Sequence, residues 1–258
     1  IGLNASTFKN KVLSLGGGEP IPGGGWISYT TTLTQENMPI GYYYGFRTNG
    51  IFQSQSDLDQ SGQTGAGLGD LRFVDINKDG IINSNDRTNI GDPFPDMSYG
   101  FTFGGAYKGF DLKVLAQGTL GNDIMNIVKI DMKSGVGWYN APKDLMAEAW
   151  SPTNPSQTQF KISSSNQNNL QISDWLVEDG SYLRIKSIQL GYSLPAATIE
   201  RLQLKGLRIW TGAYNLFTFT KYSGLDPEIG SSSPLNMGVD QGYYPVAKSW
   251  MLGLNLSF

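Results

Sequence analysis

The last nine residues of the chain alternate strictly between two kinds of side chain. Large apolar groups occupy every second position, at Trp250, Leu252, Leu254, Leu256 and Phe258, and the residues between them are small, polar or methionine. Successive side chains of a β-strand point to opposite sides, so a period of two over this length predicts a strand with one strongly apolar face. In a soluble domain, a large apolar residue at the end of the chain is usually either disordered or buried against the domain.

Several earlier segments have the same period and predict further strands. They are a partial strand over 1–14, a hairpin over 98–120 with its turn at Lys108-Gly109, and strands at 182–194 and 207–216. The second of the two later strands carries Trp210, Gly212 and Tyr214, which suit a curved sheet. Short helices are predicted at 143–150, after Pro142, and at 196–202.

The connections between these strands alternate between tight and long. The turn of the hairpin and the 195–205 link are short, whereas 15–97, 121–180 and 220–246 are long and rich in Ser, Asn, Gln and Gly. Short turns at one end and long loops at the other are typical of outer-membrane β-barrels, and a final strand that ends in Phe is the signal read by the barrel assembly machinery. No apolar run reaches the roughly 20 residues that a membrane helix needs.

The predicted fold is therefore all-β, as the C-terminal section of a large antiparallel transmembrane β-barrel. About six strands cannot close a wide cylinder, and barrels with a plugged lumen use about 22, so the other strands are expected upstream of this sequence. The strand regions are 98–120, 181–219 and the final strand at 247–258, and the three long connections are predicted to be extracellular, with the carboxyl terminus in the periplasm.

The alternation also predicts which side chains line the interior of the barrel. The candidates for this inner face are Gln117, Ser187, Gln189, Asn255 and Ser257. The strand at 182–194 breaks the pattern, since Arg184 and Lys186 fall on its otherwise apolar face. That end of the strand is therefore expected to stand clear of lipid.

The composition excludes several classes of chemistry. The chain has no histidine and no cysteine, which removes Ser-His-Asp catalysis, thiolate nucleophiles, disulfides and histidine-based zinc sites. A net charge of −3 with 16% charged residues argues against a nucleic-acid-binding protein. Asp174, Glu178 and Asp179 could be imagined as a glycosidase pair, but a polar loop with a few acids is commoner. No catalytic residues are predicted, and the chain is not expected to be an enzyme.

One segment has the spacing of a calcium-binding loop. Residues 75–86 place oxygen-bearing side chains at positions 1, 3 and 5, glycine at position 6 and a carboxylate at position 12. The predicted ligands of a structural Ca²⁺ ion are Asp75, Asn77, Asp79, the backbone carbonyl of Ile81, and Asp86. The alternative is an Asn/Asp/Gly-rich turn that holds no ion.

Three aromatic residues in the loops are candidates for stacking on a sugar. They are Trp138, Tyr139 and Trp175, although an aromatic residue in a loop more commonly anchors the loop. Substrate-binding residues beyond these are not predicted.

The order of several short segments resembles one family. From about residue 41 to the carboxyl terminus, the chain resembles the C-terminal part of the SusC/RagA-type TonB-linked outer-membrane proteins of Bacteroidota. The segments that carry the resemblance include Gly69–Phe73, Ile90–Pro93, Trp150–Pro155, Asp179–Lys186, Asn215–Thr218, Lys221–Glu228 and Gly253–Phe258.

This resemblance implies a TonB-dependent importer of glycans, oligosaccharides or peptides in the cell outer membrane. It implies a SusD-like surface lipoprotein as partner, contact with outer-membrane lipid, and coupling to the TonB complex through an N-terminal region and plug that are not in this sequence. An alternative from another class is a secreted, calcium-stabilised carbohydrate-binding β-sandwich. The alternative predicts two packed sheets and solubility without detergent.

Overall fold

The computed structural model describes residues 1–26, 29–135, 140–164, 167–201, 203–231 and 233–258. The strands are β1 (Gly2–Thr7), β2 (Ile21–Trp26), β3 (Tyr29–Thr34), β4 (Tyr42–Phe46), β5 (Thr48–Ile51), β6 (Leu71–Phe73), β7 (Arg87–Gly91), β8 (Met97–Tyr107), β9 (Phe110–Leu120), β10 (Asp123–Asn126), β11 (Val177–Asp179), β12 (Tyr182–Ser193), β13 (Gly206–Thr220), β14 (Val239–Asp240) and β15 (Ser249–Ser257). The helices are α1 (Gln55–Asp59), α2 (Val128–Lys133), α3 (Leu145–Glu148) and α4 (Ala196–Arg201). Within these described ranges, every helix is too short or too polar to cross a membrane.

A six-stranded sheet runs through the chain in the order β1-β8-β9-β12-β13-β15. Each neighbouring pair is antiparallel. β8 and β9 are joined by Lys108 and Gly109, whose φ angles of 46° and 87° are both positive, as a two-residue hairpin turn requires. The predicted all-β section of about six strands is confirmed.

The strand boundaries differ from the predicted ones mainly at the ends. β1 stops at Thr7, short of the 1–14 segment, because only residues 2–7 find partners, on β8. β13 continues to Thr220 because its last residues still pair with β12. α3 covers only the four residues Leu145–Glu148 of the helix predicted at 143–150. α4 covers Ala196–Arg201 of the helix predicted at 196–202, and Leu202 lies outside the described residues.

The register of the ladder separates the sheet into an apolar face and a polar face. Residues directly opposite one another in adjacent strands share a face, and Leu252 and Leu254 are 79% and 63% exposed on the apolar one. The pairings place Asp111 and Arg208 on the polar face. The same face carries the five side chains predicted for the barrel interior, which are Gln117, Ser187, Gln189, Asn255 and Ser257.

The predicted face of Arg184 and Lys186 is wrong. The pairing of β12 with both neighbours shifts between Ile185 and Ser187, so that Lys186 is an inserted residue, a β-bulge. A one-residue shift moves the preceding side chains to the opposite face. Arg184 is therefore paired with Gln117 and lies on the polar face.

The hydrophobic core lies in the long connections rather than on the six-stranded sheet. β10 pairs with β11 and with β14, which brings the 121–180 and 220–246 connections together in one small sheet. One cluster of buried side chains lies in this region, and each of its residues is at most 5% exposed to solvent. The cluster consists of Tyr43, Met125, Ile127, Ile130, Leu170, Ile172, Leu176 and Val239.

A second cluster joins the first long connection to the second. It consists of Phe46, Ile51, Leu71, Phe73 and Phe160. Hydrogen bonds support the contact: the backbone N–H of Phe46 donates to the Ile172 carbonyl at 2.9 Å. The described parts of the three long connections thus form one packed body, which we call the loop cap and define as residues 15–96, 121–180 and 221–248.

Candidate functional site

The predicted calcium loop folds as a tight turn in which carboxylate oxygens accept backbone N–H groups of the same loop. The Asp75 carboxylate accepts the N–H groups of Lys78 at 2.6 Å and Gly80 at 2.8 Å. Asp79 accepts the Ile81 N–H at 2.9 Å. Lys78 and Gly80 have φ angles of 62° and 82°, a conformation that glycine adopts without strain. The glycine at position 6 therefore turns the chain as the motif predicts.

Asp86, at position 12 of the loop, is fully buried. Burial disfavours its charged form, but its oxygens accept N–H groups of Asn83, Ile76 and Asn77, so that the pKa of Asp86 is lowered.

The acidic side chains of this loop do not form a preformed metal-binding site in this structure. Among the described residues, no group of three or more acidic side chains is close enough to hold a metal ion. Asn77 and Asp79 contact each other at 2.9 Å through amide nitrogen and carboxylate oxygen. Cation binding would therefore require the three carboxylates to draw closer together and the Asn77 amide to turn its oxygen inward.

Of the three aromatic candidates, the described part of the chain contains only Trp175. Its ring lies 4.8 Å from the ring of Phe160, and the Lys129 ammonium lies 4.3 Å from the centre of the indole. Its indole N–H donates to the Thr158 carbonyl at 3.1 Å. Trp175 therefore anchors the loop cap. Trp138 and Tyr139 lie outside the described residues.

The three acids from which a glycosidase pair could be drawn each contact a different partner in the loop cap. Asp174 accepts both the N–H and the hydroxyl of Thr48. Glu178 pairs with Lys129 at 3.4 Å, and Asp179 accepts the Ser181 N–H. Each carboxylate stabilises a loop contact, and the geometry shows no shared reaction centre for them.

A buried ion-pair cluster fastens the loop cap to the polar face of the sheet. Arg184, which is 3% exposed, donates to Asp226 at 2.6 Å, to Glu228 at 2.5 Å and to Thr218 at 2.8 Å. Lys186 donates to Glu228 at 2.8 Å. We call Arg184, Lys186, Asp226 and Glu228 the loop clamp.

The loop clamp also organises the loop backbone. Asp226 accepts the N–H groups of Glu228 and Val246, both at 2.9 Å, and so joins two distant parts of the 221–248 segment. Burial raises the pKa of Asp226 and of Glu228, but the arginine, the lysine and the hydrogen-bond donors outweigh it and lower both. Sequence reasoning missed this cluster, because the bulge at Lys186 leaves no signal in the alternation.

A second ion pair spans three strands of the polar face near the hairpin turn. Arg208 on β13 donates two hydrogen bonds to Asp111 on β9, at 2.8 Å and 2.6 Å. Gly191 of β12 lies between them, and a Cβ there would meet the guanidinium at 2.3 Å. The glycine therefore makes the bridge possible, and the bidentate pair fixes the spacing of the three strands.

Comparison with known proteins gives matches over nearly the whole chain. No family model matches. TonB-dependent receptor P3 of Formosa agariphila is 34% identical over 99% of this chain and 26% of its own length. TonB-dependent receptor SusC of Bacteroides thetaiotaomicron is 28% identical over 99% of this chain and 24% of its own length. The chain thus spans about a quarter of the length of the curated relatives it matches.

The fold has a counterpart among solved structures. A structure of the RagAB peptide importer in an open-open state matches with a TM-score of 0.74 and 24% identity, over 99% of this chain and 26% of that one. These relatives carry the names of receptors and importers rather than of enzymes. In sequence this chain is similar to TonB-dependent receptors over about a quarter of their length, and in fold it matches the C-terminal part of a RagA/SusC-type barrel.

Proposed function

We propose that this chain forms the C-terminal wall section and the loop cap of an outer-membrane importer that depends on TonB. The observation that carries the proposal is the exposed apolar face of the six-stranded sheet. Soluble monomers rarely expose a contiguous apolar patch larger than a few hundred Å², whereas lipid-facing barrel strands alternate apolar-out and polar-in.

The sandwich alternative requires a second sheet packed on this apolar face. Within the described ranges the buried clusters lie in the loop cap, and Leu252 and Leu254 stay largely exposed. We therefore assign this face to lipid and the opposite face, with Gln117 and Gln189, to the interior of the barrel.

The orientation follows from the placement of the connections. The hairpin turn and the link that contains α4 leave one end of the sheet, and the loop cap leaves the other. Outer-membrane barrels have short periplasmic turns and long extracellular loops. On this basis we place the loop cap outside the cell and the carboxyl terminus in the periplasm.

We infer that the full-length protein imports oligosaccharides or peptides together with a SusD-like surface lipoprotein. The names of the matched receptors and of the RagAB importer support this inference. In the described chain, the loop cap offers a rigid surface for such a partner, because the two buried clusters hold its three segments together and the loop clamp fastens it to the sheet.

The experiment that tests the proposal uses the full-length protein in its native cells. We expect it in the outer-membrane fraction, soluble only with detergent, and we expect uptake of its substrate to stop when TonB is deleted. A protein that is soluble without detergent would contradict the barrel assignment. Uptake that persists without TonB would contradict the importer assignment.

We also propose that the 75–86 loop binds one Ca²⁺ ion that makes the loop rigid. The spacing of the oxygen-bearing side chains, the glycine at position 6 and the turn that Asp75 and Asp79 stabilise by accepting backbone N–H groups of the loop support the proposal. The residues would supply hard oxygen ligands and no further chemistry.

The test measures protease resistance of this loop in the full-length protein with CaCl₂ or with a chelator. We expect Ca²⁺ to slow cleavage in the wild type and to have no effect in Asp79→Asn. The control is Asp59→Asn, an exposed acid of α1 outside the loop, which should respond like the wild type. Equal cleavage of the wild type with and without Ca²⁺ would refute the proposal.

A further inference from the structure

A cleft in the loop cap lies between the second buried cluster and the calcium-type loop. Its volume is about 310 Å³, which is within the range of small-ligand sites. Aromatic residues form its floor, amide side chains form its walls, and one cation reaches it: Phe46, Phe73, Gln63, Asn83, Gln171 and Arg87. We call it the Arg87 cleft.

Arg87 is positioned by stacking rather than by an acid. It pairs with Phe46 across the ladder of β4 and β7, and its guanidinium carbon lies 5.1 Å from the centre of the Phe46 ring. That ring in turn stacks on Phe73, with centroids 4.7 Å apart. The planar guanidinium therefore has a fixed orientation over an aromatic floor.

The hydrogen bonds of Arg87 are incomplete among the described residues. One terminal nitrogen donates to the neutral amide oxygen of Gln171 at 3.1 Å. The Nε atom is buried and has no hydrogen-bond partner within the described ranges. A charged donor that is removed from water without a partner is costly, so this geometry favours an anionic ligand.

Two other arginines of the described chain have the acidic partner that Arg87 lacks. Arg184 is paired with Asp226 and Glu228, and Arg208 is paired with Asp111. The ion pairs found in the described part of the chain do not include Arg87. The acidic group of a ligand in this open cleft could therefore form an ion pair with the Arg87 guanidinium.

The lining indicates which anion fits. Arg87 is the one cation among the described residues that line the cleft, and a phosphate or sulfate group would need further positive charge. A carboxylate carries a single charge and matches the fork of one guanidinium. The amide walls can bond to the polar groups next to that carboxylate.

We propose that the Arg87 cleft binds the carboxylate of an acidic substrate of the importer. This inference rests on the proposed function, since it assigns a subsite for the imported molecule. The same carboxylate could belong to a uronic acid sugar or to the carboxyl terminus of a peptide.

The test measures binding to the full-length receptor in nanodiscs by titration calorimetry. Two pairs of probes separate the sources: trigalacturonate against maltotriose, and N-acetyl-trialanine against N-acetyl-trialanine amide, each pair comparing an acid with a neutral molecule. We expect at least one acidic probe to bind about 10- to 100-fold more tightly than its neutral counterpart, as a charge-assisted hydrogen-bond pair predicts. Arg87→Gln should abolish that preference, and Arg47→Gln, at an exposed arginine outside the cleft, should preserve it.

A second variant keeps the charge of Arg87 in place. Gln171→Glu puts a carboxylate beside the guanidinium within the protein, and we expect it to exclude the acidic probes while the protein stays folded. Acidic probes that bind no better than neutral ones, or a preference that survives both variants, would overturn the inference. If the inference is overturned, TonB-dependent uptake of a neutral substrate in the same cells would still support the importer assignment.

Discussion

Removal of Arg184 from the loop clamp should free the 221–248 segment from the sheet. Its guanidinium is buried and donates to Asp226, Glu228 and Thr218. The variant Arg184→Met keeps an unbranched apolar stem but removes the guanidinium and its charge. The Asp226 carboxylate then stays buried without a cation.

The free-energy cost of Arg184→Met depends on the hydrogen-bond and ion-pair partners that Asp226 and Glu228 retain. Loss of one partner from a buried ion pair costs about 3–5 kcal/mol. Asp226 keeps two backbone donors, and Glu228 keeps Lys186. We therefore expect the lower limit, about 3 kcal/mol, which corresponds to roughly a 100-fold larger opening constant for the segment.

Hydrogen exchange of the full-length protein in nanodiscs measures this constant. The amide of Val246 donates to Asp226 and should exchange about 100-fold faster in Arg184→Met than in the wild type. The control is Lys221→Met, because the lysine is 87% exposed and lies 4.0 Å from Asp179, so its loss should cost about 1 kcal/mol or less. Exchange at Val246 within about threefold of the wild type would refute the role of the loop clamp.

Three further predictions concern the sheet and the pH response. Leu254→Arg on the lipid-facing side should destabilise the barrel by about 2–4 kcal/mol in urea unfolding from lipid vesicles, and no change would contradict the face assignment. Gly253→Ala should cost about 1–3 kcal/mol in the same assay, because its Cβ would lie 2.4 Å from the Trp210 ring, whereas Gly104→Ala, with open space around it, should be nearly neutral. The acids of the loop clamp have lowered pKa values, so their stabilisation is complete above about pH 5 and is lost as the pH falls through and below the ordinary carboxyl pKa of about 4. Protease cleavage of the loop that the clamp holds should rise over that range in the wild type, and a smaller rise in Asp226→Asn would show that this acid carries the response.

The alternation of side chains by itself determined the sheet. A period of two identifies a strand and its two faces wherever the chain is regular, as from Trp250 to Phe258 and along the hairpin over 98–120, because the geometry of an extended chain fixes where each side chain points. The same alternation placed Gln189 and Asn255 on one face. The turn at Lys108-Gly109 was equally local, since two positive φ angles depend on the residues of the turn itself.

Only the tertiary structure decided the face of Arg184 and the fold of the loop cap. The bulge at Lys186 depends on how β12 pairs with two neighbours, and one inserted residue reverses every side chain beyond it. The buried clusters join residues such as Phe46 and Phe160, which are far apart in the chain and share no period. Arg87 likewise has nothing in its local sequence to separate it from Arg184, because a missing partner is a property of the surrounding fold.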